Sequence, residues 1–218
     1  MTDVEHLHGI PQLTLEHYER DYADRHLVHA AIERWARETP DRIALISYDT
    51  GREYAYREVD AIVTALAAEL LAMGLRKGDF FATSLPLLAE HVFLEYACFK
   101  IGVIHAPLDL RLKGPEVIRS LGLIEPKAYA FLGETPVADF RELGRAVQAA
   151  CPYIEHFIQF SPPDETIDGA MSAMDLAARA LAQAAEPDEQ KLQAVRDAAA
   201  QVEPTDGAQV IYTTGSTG

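Results

Sequence analysis

From Val59 to Phe160 the chain alternates apolar residues at helical spacing with short apolar runs, and few folds can satisfy that rhythm. Val59, Ile62, Val63, Leu66, Leu70 and Met73 recur on one helix face, and Gly74 suits the left-handed cap that ends such a helix. A strand is expected over Phe80 to Leu85. After Pro86 a second helix carries Val92, Phe93, Tyr96 and Lys100; Gly102 closes it, and a strand follows over Val103 to Ala106. The pattern continues with a short helix opened by Pro115 (Glu116 to Leu121), a strand Ala128 to Leu132, a helix from Pro136 to about Ala150 and a strand Ile154 to Phe160. Strands alternating with helices of this length predict an α/β fold with a largely parallel sheet flanked by helices.

The flanks divide the chain further. Residues 1–24 are polar, rich in His and Tyr and without a clear period, and read as an arm. An α/β subdomain is expected over 25–160. It opens with a helix that places Val28, Ala31, Ile32 and Trp35 on one face and ends before Pro40. A hairpin follows, Ile43 to Tyr48 and Glu53 to Tyr56, turned by Asp49-Thr50-Gly51. Ser161-Pro162-Pro163-Asp164 breaks the rhythm. Residues 161–205 then read as an acidic helical insertion, with one stripe through Met171, Met174, Ala178 and Leu181 and another through Leu192, Val195, Ala199 and Val202. Between Ser161 and Asp206 ten acidic residues face three basic ones, so this stretch supplies −7 of a net charge of −15. Such a run is ordinarily a solvated face. Residues 206–218 complete the chain as a strand and a truncated loop.

A charge of −15 argues against nucleic acid, whose phosphates are bound by clustered Lys and Arg. The longest apolar stretch, Ala61 to Ala68, is far short of the ~20 residues of a membrane span, and Met1-Thr2-Asp3-Val4-Glu5 carries acid where a secretory signal carries base, so a cytoplasmic location is expected. Cys98 and Cys151 lie in no metal or redox spacing and read as small buried hydrophobes. His6 and His8 fall in the arm. His26 and His29 are three apart on a helix but have no acidic or Cys partner near in sequence, so they read as surface residues, and no metal site is expected. His105 reads as a packing or hydrogen-bonding residue. Glu90 and Glu95 sit on a helix expected to lie outside any site.

The chemistry concentrates in the last residues. Gln209-Val210-Ile211-Tyr212 reads as a short buried strand, and Thr213-Thr214-Gly215-Ser216-Thr217-Gly218 follows it. Glycine lets the backbone approach an anion closely while amides and hydroxyls donate to its oxygens. The same residues are ordinary turn chemistry. The loop has neither the lysine of a Walker loop nor G-x-G-x-x-G spacing.

Several segments together resemble the adenylate-forming (AMP-binding) superfamily, which includes acyl-CoA and aryl-CoA synthetases. Asp206 to Gly218 is similar to that family's phosphate loop, a strand ending in Tyr or Phe before T-S-G-[ST]-T-G, with Thr214 standing where Ser is usual. Tyr54-Ala55-Tyr56-Arg57-Glu58-Val59 resembles its T-Y-x-E-L segment, and Met73-Gly74-Leu75-Arg76-Lys77-Gly78-Asp79 its G-V-x-x-G-D turn. Phe99 to Leu108 is similar to K-A-G-A-V-x-V-P-L, and Arg111-Leu112 with Glu116-Val117 to R-L-x-x-x-E-L. The matches run in family order from about residue 28.

The resemblance implies ATP, Mg²⁺ and coenzyme A as cofactors and a small-molecule carboxylic acid as partner. It places nucleotide binding on Thr213, Thr214, Gly215, Ser216, Thr217 and Gly218 and no catalytic residue within the chain. It also implies that the remaining machinery lies beyond residue 218 and that these residues alone are inactive. A non-catalytic binding or assembly module of the same fold, and an unrelated α/β protein whose last loop is only a turn, stay open at this point. Oligomeric state is equally open.

Overall fold

Five parallel strands form the sheet, in the order β4–β3–β5–β6–β7, in a computed structural model that describes residues 27–212 together with Thr14, Glu16, His17 and Arg20. The strands are β3 (Phe80–Ser84), β4 (Ile104–Pro107), β5 (Ala128–Leu132), β6 (His156–Phe160) and β7 (Ala170–Ser172). Ahead of them come helix α1 (Val28–Glu38), an antiparallel hairpin of β1 (Ile43–Ile46) and β2 (Glu53–Ala55), and helix α2 (Tyr56–Ala72). The crossovers are α3 (Ala89–Lys100) between β3 and β4, α4 (Gly114–Leu121) between β4 and β5, and α5 (Arg141–Ala150) between β5 and β6. Helices α6 (Ala173–Ala185) and α7 (Glu189–Ala199) follow β7. The expected α/β architecture is therefore observed.

Local chemistry sets the boundaries. Glu58 accepts a hydrogen bond from the Ala55 backbone N–H at 2.8 Å, so β2 gives way to α2 at Tyr56. Gly74 and Gly102 both take left-handed φ (+90° and +72°). Past each the chain folds back, Leu75 N–H bonding Leu70 O at 3.1 Å and Val103 N–H bonding Cys98 O at 3.0 Å. The helix–glycine–strand unit is thus built twice in the same way.

Burial on both faces requires each strand to send alternate side chains into two cores. On β5, Ala128 and Ala130 join Phe81, Ile158 and the apolar faces of α2, α3, α6 and α7. Tyr129 and Phe131 stack at 5.6 Å and pack on the opposite face with Val117, Leu121 and Val147 from α4 and α5. Helix α5 lies so close that a Cβ at Gly144 would sit 2.3 Å from the Phe131 ring.

Three readings are corrected by the structure. Met171 belongs to β7 rather than to a helical stripe; Ser172 caps α6 by accepting from Met174 N–H at 3.1 Å, and its hydroxyl donates to Ser161 O at 2.6 Å. Helix α5 begins at Arg141 instead of Pro136, because Thr135 and Ala138 close a tight turn first. His29, read as a surface residue, is 5% exposed, while Val28 on the supposed core face is 43% exposed. The cause is Lys100. Its buried ammonium needs carboxylates, finds Glu33 at 2.8 Å and Asp60 at 3.0 Å, and so turns the His29–Glu33 side of α1 inward. Burial lowers the pKa of His29 against the opposing charge of Glu33. His6, His8 and His26 lie outside the described residues.

The acidic segment is fastened by a single buried carboxylate. Glu69 on α2 accepts from Arg179 of α6 at 2.9 Å and from Lys191 of α7 at 3.0 Å. Burial works to raise its pKa, but hydrogen bonds and charge from Lys191 and Arg179 outweigh that, and the net shift is downward. Glu69→Gln is expected to cost about 1–3 kcal/mol, between the values for exposed and buried pairs because both cations are part exposed. Urea midpoints check this. A depressed carboxylate stabilises above its unfolded pKa of 4.5 and loses that effect as pH falls through the lower folded value, so the two midpoints should converge in acid.

Candidate functional site

Residues 206–212 run beside β4 at the open edge of the sheet. Val210 N–H donates to His105 O at 2.8 Å and His105 N–H donates to Ala208 O at 3.0 Å, a parallel bridge with His105 opposite Gln209. The segment therefore travels toward the carboxyl ends of the strands, where α/β sheets bind ligands. The six residues expected to hold phosphate, Thr213, Thr214, Gly215, Ser216, Thr217 and Gly218, lie outside the described residues. What is visible is the platform that leads to them.

That platform is an edge segment, not the buried strand read from Gln209 to Tyr212. Val210 and Tyr212 pack against the α4–α5 core, whereas Ile211 is 72% exposed. An edge has one strand neighbour, so only one side of the segment finds cover. Three side-chain anchors compensate. At the start, Lys77 pairs with Asp206 at 2.7 Å and donates to Gln201 O at 2.7 Å, and the Lys77 hydrogen bond holds the Asp206 carboxyl below its ordinary pKa. At the end, the Tyr212 hydroxyl donates to Ser120 O, the last turn of α4, at 2.9 Å.

The middle anchor is a buried polar chain. His91 Nδ1 lies 3.0 Å from Pro86 O, which can only accept, so Nδ1 carries the proton. Burial lowers the pKa of His91 and keeps it neutral, leaving Nε2 as an acceptor for the Thr83 hydroxyl at 3.0 Å. Thr83 Oγ1 also lies 3.0 Å from His105 Nε2. His105 Nδ1 then faces Glu95 Oε1 at 3.4 Å and the Gln209 amide nitrogen at 3.3 Å, and Gln209 donates to Glu95 Oε1 at 2.7 Å. The His105 contact, more than the opposing burial, holds the Glu95 carboxyl below the usual range, so it is ionised at neutral pH.

His105 thus has the hydrogen-bonding environment expected of it. Glu95, expected outside any site, accepts a hydrogen bond from the Gln209 amide at 2.7 Å, a contact the sequence reading did not foresee. Its signal was local: His91 and Glu95 are four apart on α3 and share a helix face. Cys98 and Cys151 are buried and free, and burial raises the Cys98 thiol pKa. Among the described residues no group of three or more His, Cys, Asp or Glu could hold a metal ion, and no helix is long and apolar enough to cross a membrane.

A cavity among the described residues lies elsewhere. It measures about 460 Å³ between α2, α3 and α6 and is lined mainly by apolar side chains such as Leu66, Phe93, Leu132, Phe160 and Leu176. None of its lining residues comes from β4 or residues 206–212.

The sequence profile of the AMP-binding enzyme family matches residues 32–218. Propionate–CoA ligase of Escherichia coli is 33% identical over 84 residues, covering 37% of this chain and 13% of that protein. Medium-chain fatty-acid–CoA ligase of Escherichia coli is 32% identical over 97 residues, covering 44% of this chain and 17% of that protein. The inhibitor-bound N-terminal domain of FACL13 from Mycobacterium tuberculosis superposes with a TM-score of 0.64 at 25% identity, covering 87% of this chain and 42% of that one. The matched stretches thus span well under half of each relative.

If the Tyr212 hydroxyl secures the platform, Tyr212→Phe should weaken it by about 0.5–1.5 kcal/mol, the net worth of one hydrogen bond. Amide exchange at Val210, whose N–H is bonded to His105 O, should accelerate about three- to tenfold while β5 and β6 stay protected.

Proposed function

Because this chain belongs to the AMP-binding enzyme family, we propose that it supplies the phosphate-gripping part of an ATP-dependent carboxylate ligase. The reaction joins a small carboxylic acid to AMP, releases pyrophosphate and passes the acyl group to coenzyme A. One observation carries the reading: a hydroxyl- and glycine-rich loop follows directly on a segment pinned in parallel to the sheet edge and aimed at its carboxyl end. The names of the two Escherichia coli relatives support coenzyme A as the acceptor.

The physical task is charge handling. A carboxylate oxygen attacks the α-phosphorus, and the bond to the bridging oxygen of the leaving pyrophosphate breaks, so two anions meet and a third departs. Hydrogen-bond donors placed in advance lower the cost of that charge. The donor set fits: within six residues Thr213, Thr214, Ser216 and Thr217 offer hydroxyls, Gly215 and Gly218 let backbone amides approach, and no carboxylate intrudes. Mg²⁺, when bound, offsets part of the phosphate charge. Anchoring of the loop's entrance at Asp206, Gln209 and Tyr212 fixes the donors' starting point before ATP arrives, which reduces the ordering cost of binding.

The test is pyrophosphate exchange by the complete natural protein with a panel of fatty, aromatic and alicyclic acids. Exchange is expected with at least one acid and only with Mg·ATP present. Thr214→Ala or Thr217→Ala should each weaken Mg·ATP binding about tenfold, the value of one hydrogen bond to a charged group, without lowering the melting temperature. Absence of Mg·ATP binding by the unmodified protein would overturn the reading.

A further inference from the structure

Backbone contacts alone hold the loop-bearing segment weakly. Two hydrogen bonds, Val210 N–H to His105 O and His105 N–H to Ala208 O, make up its bridge to β4, and its outer side faces no strand among the described residues. The side chain placed to correct this is Gln209. Its amide reaches back across the edge to Glu95 Oε1 at 2.7 Å, the shortest link between α3 and residues 206–212, and stands 3.3 Å from His105 Nδ1.

The acceptor at the other end is Glu95. It sits on the helix that also buries His91 and Lys100, and its carboxylate is 24% exposed, ionised, and directed at Gln209 and His105. His105 is 1% exposed and its far nitrogen is tied through Thr83 to His91, so the imidazole cannot swing away to let the segment move. Glu95 is thereby backed by a chain running into the centre of the sheet, and Gln209 is the member of that chain carried by residues 206–212. Three residues separate Gln209 from Thr213, where the hydroxyl-bearing loop begins.

We propose that Glu95 is a positioning residue: by gripping the Gln209 amide against His105 it fixes the register of residues 208–212 beside β4, from which the Thr213–Gly218 sequence continues, and so sets affinity for the ATP polyphosphate. The inference rests on the functional reading above and deepens it, since it assigns a determinant of ATP affinity to a residue that touches no nucleotide.

The experiment uses the complete natural protein, with Mg·ATP dissociation constants measured by equilibrium dialysis and amide exchange followed over residues 208–212. Glu95→Ala is expected to raise the constant about tenfold and to accelerate exchange at Val210, the loss being that of one charge-assisted hydrogen bond. Gln209→Leu should do the same. The double variant should be no worse than either single one, because both remove one link. Glu95→Gln keeps an acceptor for Gln209 and should recover most of the affinity. Additive losses, or unchanged Mg·ATP affinity in a Glu95→Ala protein whose parent binds Mg·ATP, overturn the inference and leave the ligase reading intact. A lower melting temperature with unchanged affinity and exchange assigns Glu95 a purely structural role and also overturns it. Failure of the unmodified protein to bind Mg·ATP instead removes the ligase reading, and the inference with it.

Discussion

Both faces of the β3–β5–β6 ladder are sealed by helices, so a polar group carried inward is stabilised by a partner inside the protein. Three buried groups show how that constraint shapes the molecule. Lys100 draws in Glu33 and Asp60 and thereby turns α1. Glu69 draws in Arg179 and Lys191 and thereby seats α6 and α7. Thr83 draws in His91 and His105, and through them Glu95 and Gln209. Each joins parts of the chain far apart in sequence.

The same constraint explains why the sheet edge differs from its centre. β3 and β5 have a strand on either side and exchange backbone hydrogen bonds along their whole length. β4 has a full neighbour only in β3, and residues 208–210 supply a single bridge on its other side. Side chains take over where the ladder stops: Lys77, Glu95 and the Ser120 carbonyl each hold one point of the segment.

Much of this was legible from the residues. Period-3.6 and period-2 patterns found β3 through β6 and the helices α2 to α4, because those segments obey a one-dimensional rule that burial enforces. Gly74 and Gly102 were legible because left-handed φ is cheap only for glycine. β7 was not: Ala170-Met171-Ser172 is three residues long and becomes a strand only because β6 offers it hydrogen bonds. His29 was misplaced because helical periodicity records apolar faces and is blind to a buried ammonium brought from 71 residues away by the fold.

The sequence by itself determined the class of fold, the family, and the chemistry of the terminal loop, since spacing, glycine placement and hydroxyl content are properties of consecutive residues. Only the tertiary structure decided which polar side chains meet. Glu95, His91, Thr83, His105 and Gln209 span 127 positions and sit on four different segments, and nothing in their local spacing specifies a common junction. The physical reason is that hydrogen bonds act over about 3 Å; the residues in reach are settled when strands pair and helices dock, after which an unpaired buried group is too costly to tolerate.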